Sequence, residues 1–264
     1  MNQQTQIQRL RELIRPRTDP LGAALISGGD SFPEHAIRPA KYGIRVSLCQ
    51  WTTMARTWGR TVGVLPEDIN CSACLAALGL MRLESPDHLA EYLLAMGYFE
   101  TRDKAVLAVD QLDPLSAGAI KGIVLFPLGK ESAIPPDLVW IYGTPAQMAR
   151  LAAGWAYTTG ELVGSKTTGF GFSCLSLFKP YRSGKPRLVH PGRGERILAG
   201  TEEDEMAFSF PAFALDDLVA GLEKTHDTGT RYPVQKYVIF QPPVLRPMSE
   251  LEDRLSPIRT VSEG

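Results

Sequence analysis

Four cysteines are the residues of this chain whose type and spacing indicate chemistry. Cys71 and Cys74 form a Cys-x-x-Cys pair, whereas Cys49 and Cys174 stand alone. Around the pair and around Cys174, stretches rich in Gly, Asn or Ser lead into apolar segments, which predicts loops that pass into helices. A thiol at the N-terminus of a helix loses its proton easily, and the thiolate is the form that binds metals or attacks substrates. The four sulfurs are therefore the candidate site atoms.

Three or four thiolates that meet in the folded chain would suit a soft metal centre. Zinc accepts tetrahedral sulfur, and iron–sulfur clusters are held by cysteine thiolates. A structural zinc site usually shows two Cys-x-x-Cys pairs, whereas one pair and two single cysteines favour a cluster. We expect three or four of the cysteines at 49, 71, 74 and 174 to hold an iron–sulfur cluster. An iron with an open position would act as a Lewis acid.

Other interpretations of the same cysteines remain open. Free cysteines are among the most buried residue types, so the four thiols would also fit an inert core. Cys71 and Cys74 ahead of a helix resemble a thiol-redox pair. Zinc remains an alternative metal. Covalent haem attachment through Cys-x-x-Cys-His is excluded because Leu75 follows Cys74, but haem bound non-covalently through a Cys or His is not.

The segment 190–196, His-Pro-Gly-Arg-Gly-Glu-Arg, is the second feature with chemical potential. Its two glycines would let backbone amides approach a ligand, and Arg193 and Arg196 can fork onto a carboxylate or phosphate. We expect both arginines, with His190 beside them, to hold an anionic group of a substrate. The competing interpretation is a β-turn between two strands that carries solvated arginines.

Several other residues also have two interpretations. Arg56 and Arg150 fit either ordinary helix faces or paired anion anchors that point inward. The acidic run 202–205 is typical of a solvated edge, although Asp204 or Glu205 would be placed to close over a site. Aromatic residues near the cysteines would form core or wall a pocket for a planar ligand. They are Trp51, Trp58, Trp155, Phe170 and Phe172.

Composition and charge place this chain among ordinary globular proteins. Of its 264 residues 44% are apolar and 22% charged, enough to bury one large core or two small ones. The formal net charge of −1 does not favour nucleic acid or an anionic membrane as a partner. No apolar run approaches the ~20 residues of a membrane span, and the polar, basic N-terminus lacks a signal-peptide core. We expect a cytoplasmic protein with reduced thiols.

Helical and alternating patterns divide the chain into many short elements. Helices are predicted at 4–15, 50–59, 86–99, 101–112, 144–160 and 212–226. Strands are predicted at 22–28, 43–49, 61–66, 122–128, 137–143, 185–192, 205–211 and 233–243. We expect one α/β or α+β domain over 21–243, in which helices cover mixed short sheets. An N-terminal helix or arm at 1–20 precedes it, and an extended tail at 244–264 follows.

A short internal similarity suggests that the domain has two loosely similar halves, at 43–83 and 137–180. Each half shows a strand, a turn, a helix and a cysteine-bearing loop, and both helices contain Met-Ala-Arg, at 54–56 and 148–150. In a true duplication, Cys71 and Cys174 would be pseudo-symmetric. Both sulfurs would then converge on one central site.

Four stretches together resemble a known family of bacterial and archaeal proteins, domain of unknown function 169. They are the Cys49 helix segment, the Cys71 segment that ends in Leu78-Gly79, the Phe126-Pro127-Leu128…Pro136-Asp137 strand pair, and Pro191–Arg196 followed by Asp204–Phe208. The resemblance implies shared cysteines at the positions of Cys49, Cys71 and Cys174. At the position of Cys74 the family more often has a small residue. The resemblance therefore favours Cys49, Cys71 and Cys174 as the ligands of the cluster, with Cys74 as a fourth ligand or a spare. It brings no settled biochemical role.

The functional expectation is an intracellular metal-dependent enzyme of redox or lyase type. Its substrate would be a small anionic or aromatic molecule, neither nucleic acid nor membrane would be a partner, and a homo-oligomer is compatible with the sequence. One alternative is a non-catalytic protein that binds or delivers a cofactor such as haem or a metal. Another is a thiol-redox protein that uses Cys71 and Cys74.

Overall fold

The computed structural model describes residues 2–27, 32–85, 87–112, 114–130, 134–171 and 173–236. The helices of this part are α1 (Gln3–Ile14), α2 (Leu48–Trp58), α3 (Ser72–Ala77), α4 (Asp87–Ala95), α5 (Arg102–Leu112), α6 (Pro145–Thr159), α7 (Ser173–Ser183), α8 (Arg193–Ala199) and α9 (Leu215–Asp227). The strands are β1 (Leu21–Ile26), β2 (Val62–Val64), β3 (Gly122–Pro127), β4 (Leu138–Gly143), β5 (Arg187–Val189) and β6 (Met206–Pro211). Short 3₁₀ helices lie at Pro39–Tyr42, Pro66–Asp68 and Ala212–Ala214.

The six strands form one antiparallel sheet in the order β2-β3-β1-β4-β6-β5. β1 lies near the middle, where it pairs with β3 on one side and β4 on the other. Every residue of β1, β3 and β4 is buried. These strands are almost wholly apolar because both faces of the sheet are covered, and the usual alternation with polar residues is absent.

Helices cover the two faces of the sheet unequally. On one face α2, α3, α4, α5 and α7 pack over a core in which Trp140 meets Phe178 edge-on at 5.0 Å. On the other face α1, α6 and α9 pack against residues of β4 and β6. The α6 and α9 backbones cross closely at two glycines, since a Cβ on Gly221 would lie 2.0 Å from the carbonyl oxygen of Gly154. The cysteines belong to the first of these layers.

The expected class, a single domain of mixed helices and strands, is confirmed, and the strands all join one sheet. The six predicted helices correspond to α1, α2, α4, α5, α6 and α9. Among the described helices, none is long and apolar enough to cross a membrane. The prediction of two similar halves remains a prediction. Met54 lies in the second turn of α2, whereas Met148 lies in the first turn of α6, so the shared triplet falls at different helical positions.

Two local predictions were wrong. Residues 43–49 were predicted as a strand, but they form one isolated bridge, Val46 to Ile69, before α2 begins at Leu48. The Ser47 capping box starts a helix here, although the β-branched residues of the segment favour a strand. The competing interpretation of segment 190–196, a β-turn between two strands, was also wrong, because helix α8 follows Gly192.

The end of the chain was predicted to contain a strand at 233–243 and a tail at 244–264. Residues 233–236 are not in a strand. The remainder of both predictions lies outside the described residues.

Candidate functional site

One cavity of about 330 Å³ is lined by all four cysteines. Its walls come from four parts of the chain that are far apart in sequence: residues 47–49, 70–98, 170–174 and 194–198. The cavity lies beside the first turns of α2, α3, α7 and α8. The fold therefore brings Cys49, Cys71, Cys74 and Cys174 to a common space, whereas their role as ligands stays a prediction.

The local sequence places each thiol at the start of a helix. Cys49 is the second residue of α2, whose N-cap Ser47 exchanges hydrogen bonds with Gln50 in a capping box. Cys71 is the N-cap residue of α3, and Cys74 follows in the same first turn. Cys174 is the second residue of α7. At Cys71 the backbone N–H groups of Ala73 and Cys74, in the first turn of α3, donate to the sulfur, which favours negative charge there.

Two of the sulfurs are in direct contact. Sγ of Cys74 lies 3.4 Å from Sγ of Cys174, and both residues are buried. Sγ of Cys49 lies 3.0 Å from the hydroxyl of Ser47, while Cys49 and Cys71 are partly exposed to the cavity. All four are free thiols.

The thiols differ in acidity because their surroundings differ. The Cys74 thiol and the backbone N–H groups of Cys74 and Ala73 lower the pKa of Cys71 to about 6, and these contacts outweigh its burial. Contact with Cys174 and Cys71 raises the pKa of Cys74, and burial adds to this effect. Burial raises the pKa of Cys49 to about 12, against the opposing hydrogen bond from Ser47. Cys71 is therefore a thiolate at neutral pH, while Cys49 and Cys74 keep their protons.

Glu195 is a buried carboxyl group on the wall of this cavity, and sequence reasoning missed it as a site residue. Its oxygens accept hydrogen bonds from the Tyr142 hydroxyl at 3.0 Å and from the Gly192 N–H at 3.2 Å. Burial raises its pKa, although these donors and Ser173 oppose the rise. The available signal was the Gly-x-x-Glu spacing of 192–195, which is half of a capping box.

Behind Glu195, a buried chain of polar groups leads away from the cavity. The Arg56 guanidinium lies 4.3 Å from the centre of the Tyr142 ring and forms an ion pair with Glu205. Arg150, the predicted partner of Arg56, instead donates to the Thr225 hydroxyl at 2.6 Å and to the carbonyl of Leu222. Both arginines point inward, but each is bound to groups of the protein. Neither lines the cysteine cavity.

The segment 190–196 contributes backbone and Glu195 to the site, while its predicted anion-binding side chains do not line the cavity. Arg196 donates to the carbonyls of Glu202 and Glu205. Arg193 is exposed, and exposed His190 lies 3.4 Å from the Ser165 hydroxyl through Nδ1. Their role in holding an anionic substrate group stays a prediction.

Aromatic side chains form another wall of the cavity. Tyr98 and Phe170 stack at a centroid distance of 4.9 Å and an angle of 11°, and both line the cavity together with Tyr92 and Met96. Of the predicted aromatic residues, Trp51 is buried in the core, Trp58 is exposed, and Trp155 packs in the layer of α6 and α9. Phe172 lies outside the described residues.

The donor set suits a soft metal in type, but the side chains are not placed around a common centre. Within the described ranges, no group of three or more His, Cys, Asp or Glu side chains is arranged to hold a metal ion. The Cys74–Cys174 sulfur distance of 3.4 Å is also shorter than the about 3.8 Å between sulfurs of a tetrahedral zinc site. Metal binding would require these side chains to rotate apart.

Comparison with known proteins gives a family but no activity. No curated protein and no solved structure matches this chain. The family described as Uncharacterised ArCR, domain of unknown function 169, matches residues 9–221. Since this match covers well over half of the sequence, the chain belongs to the domain of unknown function 169 family.

Proposed function

We propose that this protein is a metal-dependent enzyme whose cysteine-lined cavity holds an iron–sulfur cluster and receives a small molecule. One observation carries the proposal: sulfurs from three distant segments line one cavity of about 330 Å³. Cys49, Cys71 and Cys174 are the ligands, and Cys74 is a fourth ligand or a spare. Bound there, such a cluster supplies either an electron carrier or a Lewis-acidic iron.

The acidity of one thiol, Cys71, supports binding of a cation at this place. Cys71 is ionised near neutral pH without any metal, which gives an incoming cation one preformed thiolate. Cys49 and Cys74 hold their protons, so metal binding would release protons from them. Rotation of Cys74 away from Cys174 opens the 3.4 Å contact. Metal uptake is therefore strongly dependent on pH.

The remaining walls of the cavity suit a small planar or apolar ligand. Tyr98 and Phe170 offer a stacked aromatic surface, while Glu195 adds a polar group to the lining. A volume of about 330 Å³ is at the lower end of small-molecule sites, so the substrate is a small molecule. The Tyr142 hydroxyl and the Gly192 N–H hold the Glu195 carboxyl group in one orientation.

The test is anaerobic purification followed by metal analysis and absorption spectroscopy. A cluster gives a brown protein that absorbs at about 400 nm, whereas bound haem gives a sharp Soret band and zinc gives no colour. Cys49→Ser, Cys71→Ser and Cys174→Ser should each lose the metal. Ala73→Ser is the matched control, because it changes the same cavity wall without removing sulfur and should keep the metal. Metal-free protein, or full metal content in all three cysteine variants, excludes the proposal.

A second candidate function is thiol–disulfide chemistry, which the 3.4 Å contact between Cys74 and Cys174 favours. A disulfide needs sulfurs about 2.05 Å apart, so a small movement joins the pair. The two thiols would lose two protons and two electrons to an acceptor such as a peroxide or a disulfide. Equilibration in glutathione buffers, followed by peptide mass analysis without reductant, tests this function. A Cys74–Cys174 or Cys71–Cys74 disulfide that forms reversibly supports it, and four thiols that stay reduced exclude it.

A further inference from the structure

A second cavity, of about 300 Å³, lies on the other side of α7 from the cysteines. Its lining carries four cationic side chains, and none of the described residues that line it is acidic. The four cations are Lys166, Lys179, Arg182 and Arg187. They come from the loop before α7, from α7 itself and from β5, so the fold collects positive charge here from three successive segments.

The fold brings these cations together through α7, β5 and one bridge. Lys179 and Arg182 lie one turn apart on α7. Leu188 donates its N–H to the carbonyl of Gly164 at 3.1 Å, which draws the loop that carries Lys166 against β5. Gly164 leaves room for Arg187, because a Cβ at this glycine would lie 3.1 Å from Nη1 of that arginine.

An unsatisfied donor in this cluster indicates that a ligand belongs there. Nε of Arg187 is buried and has no hydrogen-bond partner within the described part of the chain. Buried donors of this kind nearly always have a partner. Lys179 and Arg182 interact with other groups of the chain, so Arg187 carries this step of the argument.

We propose that this cavity binds a phosphate-bearing small molecule. A phosphate group offers several charged acceptor oxygens that suit both the arginine forks and the ammonium groups of the lysines. The concave shape and a volume of about 300 Å³ admit a phosphate or pyrophosphate group together with a small organic part, and exclude a long polymer from the interior. This site is independent of the proposed function, because none of the cysteines lines it.

Calorimetric titration of the full chain with inorganic phosphate and with pyrophosphate tests this proposal. Sodium chloride keeps the ionic strength constant throughout each titration. Saturable binding of at least one of the two is expected. Arg187→Gln and Lys166→Gln should each weaken it by about tenfold or more, equal to about 1.4 kcal/mol. Lys41→Gln is the control, since Lys41 is an exposed lysine outside the cavity and its removal should leave the affinity unchanged.

Three outcomes would overturn the proposal. The first is heat that depends only on ionic strength, without saturation by phosphate or pyrophosphate. The second is equal weakening by Lys41→Gln and Lys166→Gln, which would show general charge attraction. The third is tight binding of duplex DNA or of anionic vesicles by a protein that does not bind pyrophosphate. Lys166 is exposed on a loop, so its variant remains a test even where Arg187→Gln does not fold.

Discussion

Arg56 and Glu205 form a doubly hydrogen-bonded ion pair inside the protein, with both side chains only 3% exposed. Nη1 donates to Oε1 at 2.9 Å and Nη2 donates to Oε2 at 3.0 Å. The pair joins α2, which carries Cys49, to the segment that enters β6. The ion pair thereby holds α2, and with it Cys49, in place beside the cysteine cavity.

Loss of Arg56 should destabilise the fold strongly. Arg56→Met leaves the Glu205 carboxylate buried without its cation, and we expect the free energy of unfolding to fall by about 3–5 kcal/mol. Urea unfolding followed by circular dichroism measures this loss. The double variant Arg56→Met with Glu205→Leu should recover much of the stability, because no buried charge is left unpaired.

The control for this prediction is the neighbouring exposed pair Arg17–Asp204, whose side chains are 52% and 53% exposed. Water screens that pair, so Arg17→Met should cost no more than about 1 kcal/mol. Similar losses for Arg17→Met and Arg56→Met would contradict the assignment of a special structural role to Arg56.

Cys71 should be the thiol that reacts fastest at neutral pH. Since its pKa is lowered to about 6, alkylation of reduced, metal-free protein by iodoacetamide should rise through about pH 6 and then level off. Cys49, whose pKa is raised to about 12, should react slowly throughout this range. Peptide mass analysis over time gives both rates. A fast phase that persists in Cys71→Ser would assign the reactive thiol elsewhere.

The same thiol should make stability depend on pH. Its pKa falls from an ordinary 9.0 to about 6, so between these values the unfolded chain binds the proton that the folded chain has lost. Its contribution to the free energy of unfolding is thus full above about pH 9 and is lost as the pH falls through about 6. The stability difference between wild type and Cys71→Ser should widen from about pH 6 to about pH 9. A constant difference would show that Cys71 is an ordinary thiol.

Glu195 should act on stability in the opposite direction. Burial raises its pKa above the ordinary 4.5, so its favourable contribution is present below that value and is lost as the pH rises through the folded pKa. Glu195→Gln cannot ionise and should gain stability relative to wild type as the pH rises. Thermal unfolding at several pH values measures this gain. Glu203→Gln, at an exposed position, should show no such trend, and a pH-independent effect of Glu195→Gln would contradict the prediction.

Gly221 should tolerate no larger side chain. Its Cβ would lie 2.0 Å from the carbonyl oxygen of Gly154, so Gly221→Ala must push α6 and α9 apart at a cost of at least about 1–3 kcal/mol. Gly194→Ala is the matched control, because nothing lies within 4 Å of its added Cβ and alanine favours the helix. Chemical denaturation of both variants measures the difference. Equal stabilities would mean that the two helices separate without cost.

The sequence predicted most elements because their patterns are locally strong. β3 and β4 are apolar runs bounded by Gly or Pro, and α6 carries Thr144 as N-cap with Gly160 after its end. The segment 43–49 misled because β-branched residues suggested a strand, while the Ser47 capping box directed the backbone into α2. Local patterns also gave no information on strand partners, so the single antiparallel sheet emerged only from the structure.

The candidate site was partly predictable for a related reason. Cysteine is rare and chemically distinctive, so all four sulfurs were identifiable as candidates from composition and local context. Tyr142 and Glu195 were not, because each matters through a contact made across 53 residues of sequence. Arg150 shows the converse error, since the triplet it shares with Arg56 gave no sign that its guanidinium binds the end of α9.

Helix α7 separates the two cavities and contributes to both, through Cys174 on one side and Lys179 on the other. A shift or tilt of this helix would change the shape of both cavities, because α7 contributes lining residues to each. If occupancy of one cavity changes affinity in the other, thermodynamics requires an equal effect in the reverse direction. Binding of an anion in one cavity and of a metal centre at the cysteines would then be coupled through α7, although the two ligands are not in contact.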